Sequence, residues 1–203
     1  MFGNIFKKNT PPDAEANAVE SASAYLTAQL NARLQPMHRG ELFEDPLDEA
    51  LQELGLGSVS GGGTQLSESG EVDYCDIEID VAALDERSVQ AIINLLNGLG
   101  APLGSKLKAG DQELPFGNTE GLALYLNGTD LPDEVYKACD SNVVYTEVQR
   151  LIGDRAEIYS HWQGPKETAL YLYGNSFQEM HDSIAEFLAT YPLCQKCRVE
   201  QIA

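Results

Sequence analysis

The sequence predicts an α+β fold of two tandem ferredoxin-like units, each a split β-α-β arrangement, with an extra helix on the N-terminal side. Three observations predict it. The order helix, hairpin, helix, strand occurs twice along the 203 residues at nearly matching lengths, and in the second half a strand also precedes the first helix. Apolar spacing switches repeatedly between the helical period and the strand period. Glycine and proline breaks fall between those segments. The halves share little identity, so a duplication rests on element order alone. The predicted division is a flexible leader over residues 1–15, an N-terminal α+β unit with the extra helix over 16–110, and a C-terminal ferredoxin-like unit over 111–203.

Asp13 can cap the Ala-rich run "AEANAVESASAYLTAQLNARL", in which Val19, Ala22, Leu26, Leu30 and Leu34 recur at helical spacing. "EDPLDEALQELG" is a shorter helix: Pro46 suits its first turn, Asp48 and Glu49 its N-terminus, and Gly55 its end. In "VDYCDIEIDV", Cys75, Ile77, Ile79 and Val81 alternate with Asp76, Glu78 and Asp80, as in a strand with one buried face, and "SESG" is the turn before it. "DERSVQAIINLLNGLG" is helical and "GSKLKA" a closing strand.

In the second half "EGLALYLNGTDL" is a strand and "PDEVYKACDSNVVYTEVQRLIG" a helix with a break at "DSN". "AEIYSHWQGPKETALYLYG" is a hairpin turning at Gly164 and Pro165. Ser176 and Glu179 form a capping-box pattern at the start of the last helix, and "CRVEQI" closes as a strand.

"GLGSVSGGGTQL", residues 55–66, comes close to two phosphate-binding patterns. Read from Gly57 it matches a P-loop except that Gly63 stands where lysine must counter the phosphate charge. Read from Gly55 it resembles a dinucleotide fingerprint, but the helix comes before it and the strand after, the reverse of what that site needs. A bulged or irregular strand is the reading that survives.

The formal charge is −19, and residues 41–86 hold fourteen acidic side chains with no Lys or Arg. Such a field disfavours nucleic acid and anionic membrane and favours a basic protein partner or divalent cations. Asp76, Glu78 and Asp80 on one strand face raise a two-metal alternative of the polymerase-palm kind, although only Arg87, Lys106 and Lys108 lie near in this half to hold a triphosphate. No apolar run approaches a bilayer span, and the segment "MFGNIFKKNTPPDAEAN" lacks a signal-peptide core, so a cytoplasmic location is expected.

Cys75, Cys139, Cys194 and Cys197 fit reduced thiols; "CQKC" has no second C-x-x-C to complete a zinc site and sits after a helix, not before one. The histidines are scattered, His38 in the first linker, His161 in the hairpin and His181 beside Asp182, whose side chains diverge on a helix. No nucleophile-elbow or other catalytic pattern is present, so no cofactor is expected. Tyr171 and Tyr173 share one face of "ALYLYG". If the leucines face the helices, those tyrosines either form a docking surface with the carboxylates or lie under a second sheet or a dimer mate.

The run "RGELFEDPLDEALQELGLGSVSGGGTQLSESGEVDYCDIEIDV" with "GAPLGSKL", roughly residues 39–108, resembles small bacterial proteins found among the immunity proteins of polymorphic toxin systems. That resemblance implies an acidic, compact α+β protein that blocks a basic toxin or nuclease by binding it. The expected function is thus a non-enzymatic acidic interaction module, with Asp73, Asp76, Glu78, Tyr171 and Tyr173 as candidate partner contacts. The alternatives are a divalent-metal enzyme or ligand binder on Asp76, Glu78 and Asp80, and a regulatory domain with a small ligand at the junction of the two sheets.

Overall fold

In the computed structural model, which describes residues 24–203, Leu26, Ala28 and Leu30 are fully buried while the residues between them are not. This two-residue period makes Ala24–Leu30 a strand, β1, where the sequence predicts helix. A spacing of four, as in Leu26, Leu30 and Leu34, satisfies both a helix and every second position of a strand; the small residues Ala28 and Ala32 between them, both buried, decide for the strand. The leader and the first part of the predicted helix lie outside the described residues.

After β1 the chain turns into helix at Pro36. Helix α1 (Pro36–Arg39) runs through a π-helical turn at Gly40–Glu44 into α2 (Asp45–Glu53). Pro46 has no N–H to donate and its ring crowds the preceding turn, and the chain answers by widening that turn, with the Asp45 N–H bonding to Gly40 O. The helix therefore begins before the predicted "EDPLDEALQELG", and His38 is helical. It ends as expected at Gly55: with φ of 63°, its N–H reaches Gln52 O at 3.1 Å while Leu56 N–H reaches Leu51 O at 2.9 Å, a Schellman cap.

The glycine run forms strand β2 (Gly57–Leu66), paired antiparallel to β3 (Val72–Val81) with register shifts between Val59 and Gly61 and between Gln65 and Leu66. It is a bulged edge strand. Gly57 shows why glycine is needed there: its φ is 153°, and a Cβ would stand 2.1 Å from the Asp80 carbonyl oxygen. Helix α3 (Glu86–Gly98), capped by Asp85 accepting from Ser88 N–H at 2.8 Å, leads to β4 (Ser105–Ala109). A strand the sequence does not announce, β5 (Gln112–Phe116), pairs with β4 and moves the predicted boundary at 110 past Phe116.

The second half runs β6 (Glu120–Asn127), α4 (Asp133–Ala138), α5 (Ser141–Ile152), β7 (Ala156–Gln163), β8 (Glu167–Gly174), α6 (Phe177–Thr190) and β9 (Arg198–Gln201). The break at "DSN" is real, with Asp140 capping α5 by accepting from Asn142 N–H at 2.8 Å. Ser176 accepts from Glu179 N–H at 3.3 Å and so caps α6.

The first sheet has the order β2-β3-β1-β4-β5 and the second β7-β8-β6-β9. With β5 set aside the two orders correspond strand for strand, and both are the antiparallel order of the split β-α-β unit. Helices α2 and α3 bury Leu47, Leu51, Ile92 and Leu96 against Leu26, Ile77 and Ile79. Helices α5 and α6 bury Val148, Ile152, Met180 and Ile184 against Leu122 and Leu172. No described helix is long and apolar enough to cross a membrane.

Gly57→Ala is expected to destabilise the fold by about 2–4 kcal/mol. Gly63→Ala, whose nearest neighbour would be Asp76 Cβ at 4.0 Å, is expected to change it by about 0.5 kcal/mol or less. Urea unfolding of both variants measures the difference, and equal midpoints would show that the approach at Gly57 constrains nothing.

Candidate functional site

Strand β3 lies between β2 and β1, so its alternation sorts side chains between the helix-covered face and an open face. On the open face Asp80 stands opposite Tyr25 and Ser58, Glu78 opposite Thr27 and Gly61, and Asp76 opposite Gln29 and Gly63. Gln29 Nε2 donates to Asp76 Oδ1 at 3.2 Å. The glycines put no side chain beside Glu78 and Asp76. Lys106 and Lys108 come from β4 on the far side of β1, and Lys106 is held by Glu113 at 2.8 Å. Among the described residues no Lys, Arg or His makes an ion pair with Asp76, Glu78 or Asp80. Tyr25, 48% exposed, rises from the same face. Desolvation is the main cause that raises its hydroxyl pKa, and Glu78 and Asp80 add to it.

The three carboxylates stand side by side along the strand, about 7 Å between successive Cα positions, rather than converging. Among the described residues no group of three His, Cys, Asp or Glu side chains is arranged to hold a metal ion. Asp73, grouped with them from the sequence, is the extra residue of the bulge between Val72 and Tyr74 and is exposed.

Tyr171 and Tyr173 are not on a docking surface. They are 1% and 2% exposed, because the first unit covers the face of the second sheet that its helices leave free. The segment after β1 and the β2–β3 turn press onto that face. Glu71, in the turn, accepts hydrogen bonds from Tyr125 Oη at 2.5 Å, from Tyr171 Oη at 2.8 Å and from Arg33 Nη1. Arg33 N–H donates to Tyr173 Oη at 2.9 Å, and the Arg33 guanidinium lies 5.6 Å from the Tyr171 ring centre. From the other side the Arg198 guanidinium sits 3.4 Å from the Tyr125 ring centre. Burial, then the bond to Glu71, pushes the Tyr125 hydroxyl up to about 12, and the same two causes push Tyr171 higher. Burial also pushes Tyr159 up to about 12 and raises Tyr173.

A groove opens at one end of this junction, where α1 overhangs the edge strand β7. Gln35 Nε2 donates to His161 O at 2.7 Å, and His38 Nδ1 is 2.8 Å from Ser160 Oγ. The bulge between Ile158 and Ser160 aims Ser160 at the first unit, opposite Tyr171. Ser160 is 3% exposed, and its hydroxyl fixes the orientation of the His38 imidazole. Burial, then the neighbouring His161, lowers the His38 pKa, while Glu41 opposes them.

The sequence separates His38 from His161 by 123 positions, yet their ring centres are 5.8 Å apart. Only the β7 pairing and the helix at Pro36 bring them together, and neither residue carries a local signal of the other. His181 and Asp182, expected to diverge, have Nδ1 and Oδ1 3.5 Å apart on an exposed helix face. All four cysteines are free thiols. Burial first, then Cys197 and Cys139, pushes Cys194 up to about 12, which keeps it protonated and unreactive at neutral pH.

No family model matches the chain, and no curated protein sequence matches it. Solved structures do. The first two RRM domains of the yeast poly(U)-binding protein Pub1 match at 10% identity over 88% of this chain and 99% of that one, with a TM-score of 0.26. The regulatory subunit of aspartate kinase from Thermus flavus matches at 11% identity over 81% of this chain and 92% of that one, with a TM-score of 0.27. Superpositions this loose carry nothing about function, and the fold assignment rests on the strand orders themselves.

Glu71→Ala leaves the Arg33 guanidinium without its carboxylate and the buried Tyr171 hydroxyl without a partner, and is expected to cost about 2–4 kcal/mol. Lys106→Ala, which breaks a pair about half exposed on both sides, is expected to cost about 0.5 kcal/mol. Chemical unfolding compares the two, and equal losses would remove Glu71 from its central place. The native state also keeps protons on Tyr125, Tyr159, Tyr171 and Tyr173 that the unfolded chain releases near pH 10. Stability conferred by these groups is therefore complete below pH 10 and lost as pH rises toward and beyond about 12. Absorbance at about 295 nm should show these four of the nine tyrosines ionising only with unfolding, and a single ordinary titration of all nine would contradict the burial.

Proposed function

We propose that this chain is a non-enzymatic, acidic protein-interaction module that receives a basic segment of a partner on the open face of its first sheet. The observation that supports this best is the row of Asp76, Glu78 and Asp80 without a cation partner among the described residues, beside exposed Tyr25 and the bare positions Gly61 and Gly63. A carboxylate row on a sheet surface attracts Lys and Arg, and an exposed aromatic gives a docking partner an apolar anchor. The same field repels phosphate-bearing ligands, which speaks against nucleic acid despite the RNA-binding role of one structural match.

The two units are read as copies of one ferredoxin-like unit. In the second copy the open face is consumed by the junction; in the first it remains free for a partner. The resemblance to immunity proteins makes a basic toxin or nuclease the specific partner.

The test is binding of a Lys- and Arg-rich peptide by calorimetry. The triple variant D76N/E78Q/D80N is compared with the equal-charge control D133N/E134Q/E186Q. Wild type and control should bind alike, and the triple variant about tenfold more weakly, with the difference vanishing in high salt. Equal weakening by both variants would mean that net charge alone, and not this face, recognises the peptide. Co-expression with a co-encoded toxin extends the test: wild type should relieve toxicity and the triple variant should not.

A further inference from the structure

The groove at the junction has two lobes, of about 520 and 210 Å³, which meet at His38, Tyr145 and His161. We propose that it binds an uncharged, planar heteroaromatic ligand of nucleobase size, held by the aromatic rings of that waist.

The lining carries no Lys or Arg, and its single charged residue is Glu41, in the smaller lobe. Within a chain of net charge −19, this excludes recognition of an anion by a fixed counter-charge. The absence of any three-ligand group among the described residues leaves no metal centre there.

What the groove does offer is rings and uncommitted hydrogen-bonding groups. The His38 and His161 rings are tilted by 58° and do not stack on each other. Tyr145 is 46% exposed, far from the burial of the junction tyrosines. The buried Leu126 and Leu170 form an apolar floor. Around it stand Asn142, Gln163 and Thr168, whose side chains make no hydrogen bond to other described residues, so their amide and hydroxyl groups are free to read the edge of a ring.

The first imidazole is held in place. Ser160 Oγ engages His38 Nδ1 and leaves Nε2 uncommitted, while Gln35 ties the backbone of His161 to the first unit. The waist is thus preorganised by the packing of both units, and the larger lobe has the volume of an ordinary small-ligand site. Stacking on such rings is tolerant of ring identity, whereas the amide pair supplies a preference among donor and acceptor patterns.

The site is distinct from the acidic face, and its test involves neither that face nor a basic peptide. Saturation-transfer NMR and calorimetry are run on the full chain with adenine, cytosine, adenosine and adenosine monophosphate, and with cyclohexanecarboxamide as a saturated control. At least one base or nucleoside should bind saturably with a Kd near or below about 1 mM. The saturated control and the monophosphate should bind at least about tenfold more weakly. Tyr145→Ala and His161→Ala, both at exposed positions, should each weaken binding about tenfold without changing the melting temperature. Lack of saturable binding by every base and nucleoside overturns the proposal, as does tighter binding of the monophosphate or binding unchanged in Tyr145→Ala.

Discussion

One carboxylate organises the junction. Glu71 gathers Arg33, Tyr125 and Tyr171 around a single oxygen, and the first of these partners belongs to one unit while the other two belong to the next. Its side chain is 15% exposed and that of Arg33 24%, so the contact lies well below the regime in which ion pairs are silent. The rings that donate to Glu71 also supply the bulk that fills the junction, together with Ala123 and Ala169 beneath them. Polar satisfaction and packing are here the same set of atoms. The turn bearing Glu71 joins the two strands that carry the glycines and the carboxylates, so one hairpin serves both the junction and the acidic row.

The contrast between the sheets was written in their periods. Strand β3 alternates because one of its faces is open, whereas β6 reads "GLALYL" with all six residues buried because its sheet is covered on both sides. Most helices and strands, the β2–β3 and β7–β8 hairpins and the helix break at Asp140 were legible in this way. Strand β1 was not, since a spacing of four serves either period and only the burial of Ala28 and Ala32 distinguishes them. Strand β5 was missed for another reason: Pro115 and the charged Glu113 weaken its pattern, as is common at a sheet edge.

The sites were legible in inverse proportion to their sequence separation. The carboxylate row is local and its shared face was correctly placed. Tyr171 and Tyr173 were placed on one face, but what covers that face comes from Arg33 and Glu71, at least 100 positions away. The meeting of His38 with His161 depends on how two units pack, which no local pattern encodes. The glycine run, which invites a phosphate, is instead answered by contact: the Asp80 backbone lies against Gly57, the Arg39–Glu44 pair lies against Gly62 on the helix-covered face, and Gly61 and Gly63 put no side chain beside the acidic row.

The hub at Glu71 also bears on how such a sequence can drift. Arg33, Glu71, Tyr125 and Tyr171 are spread over 139 positions of chain, yet loss of Glu71 leaves the buried Tyr171 hydroxyl with no partner, and loss of any of the others takes a donor from the Glu71 carboxylate. Exchange of the set is therefore tolerated more readily than erosion of it. Substitutions at these four positions should travel together through descendants of this chain, and a relative that has abandoned one should have replaced the others by a packed apolar patch.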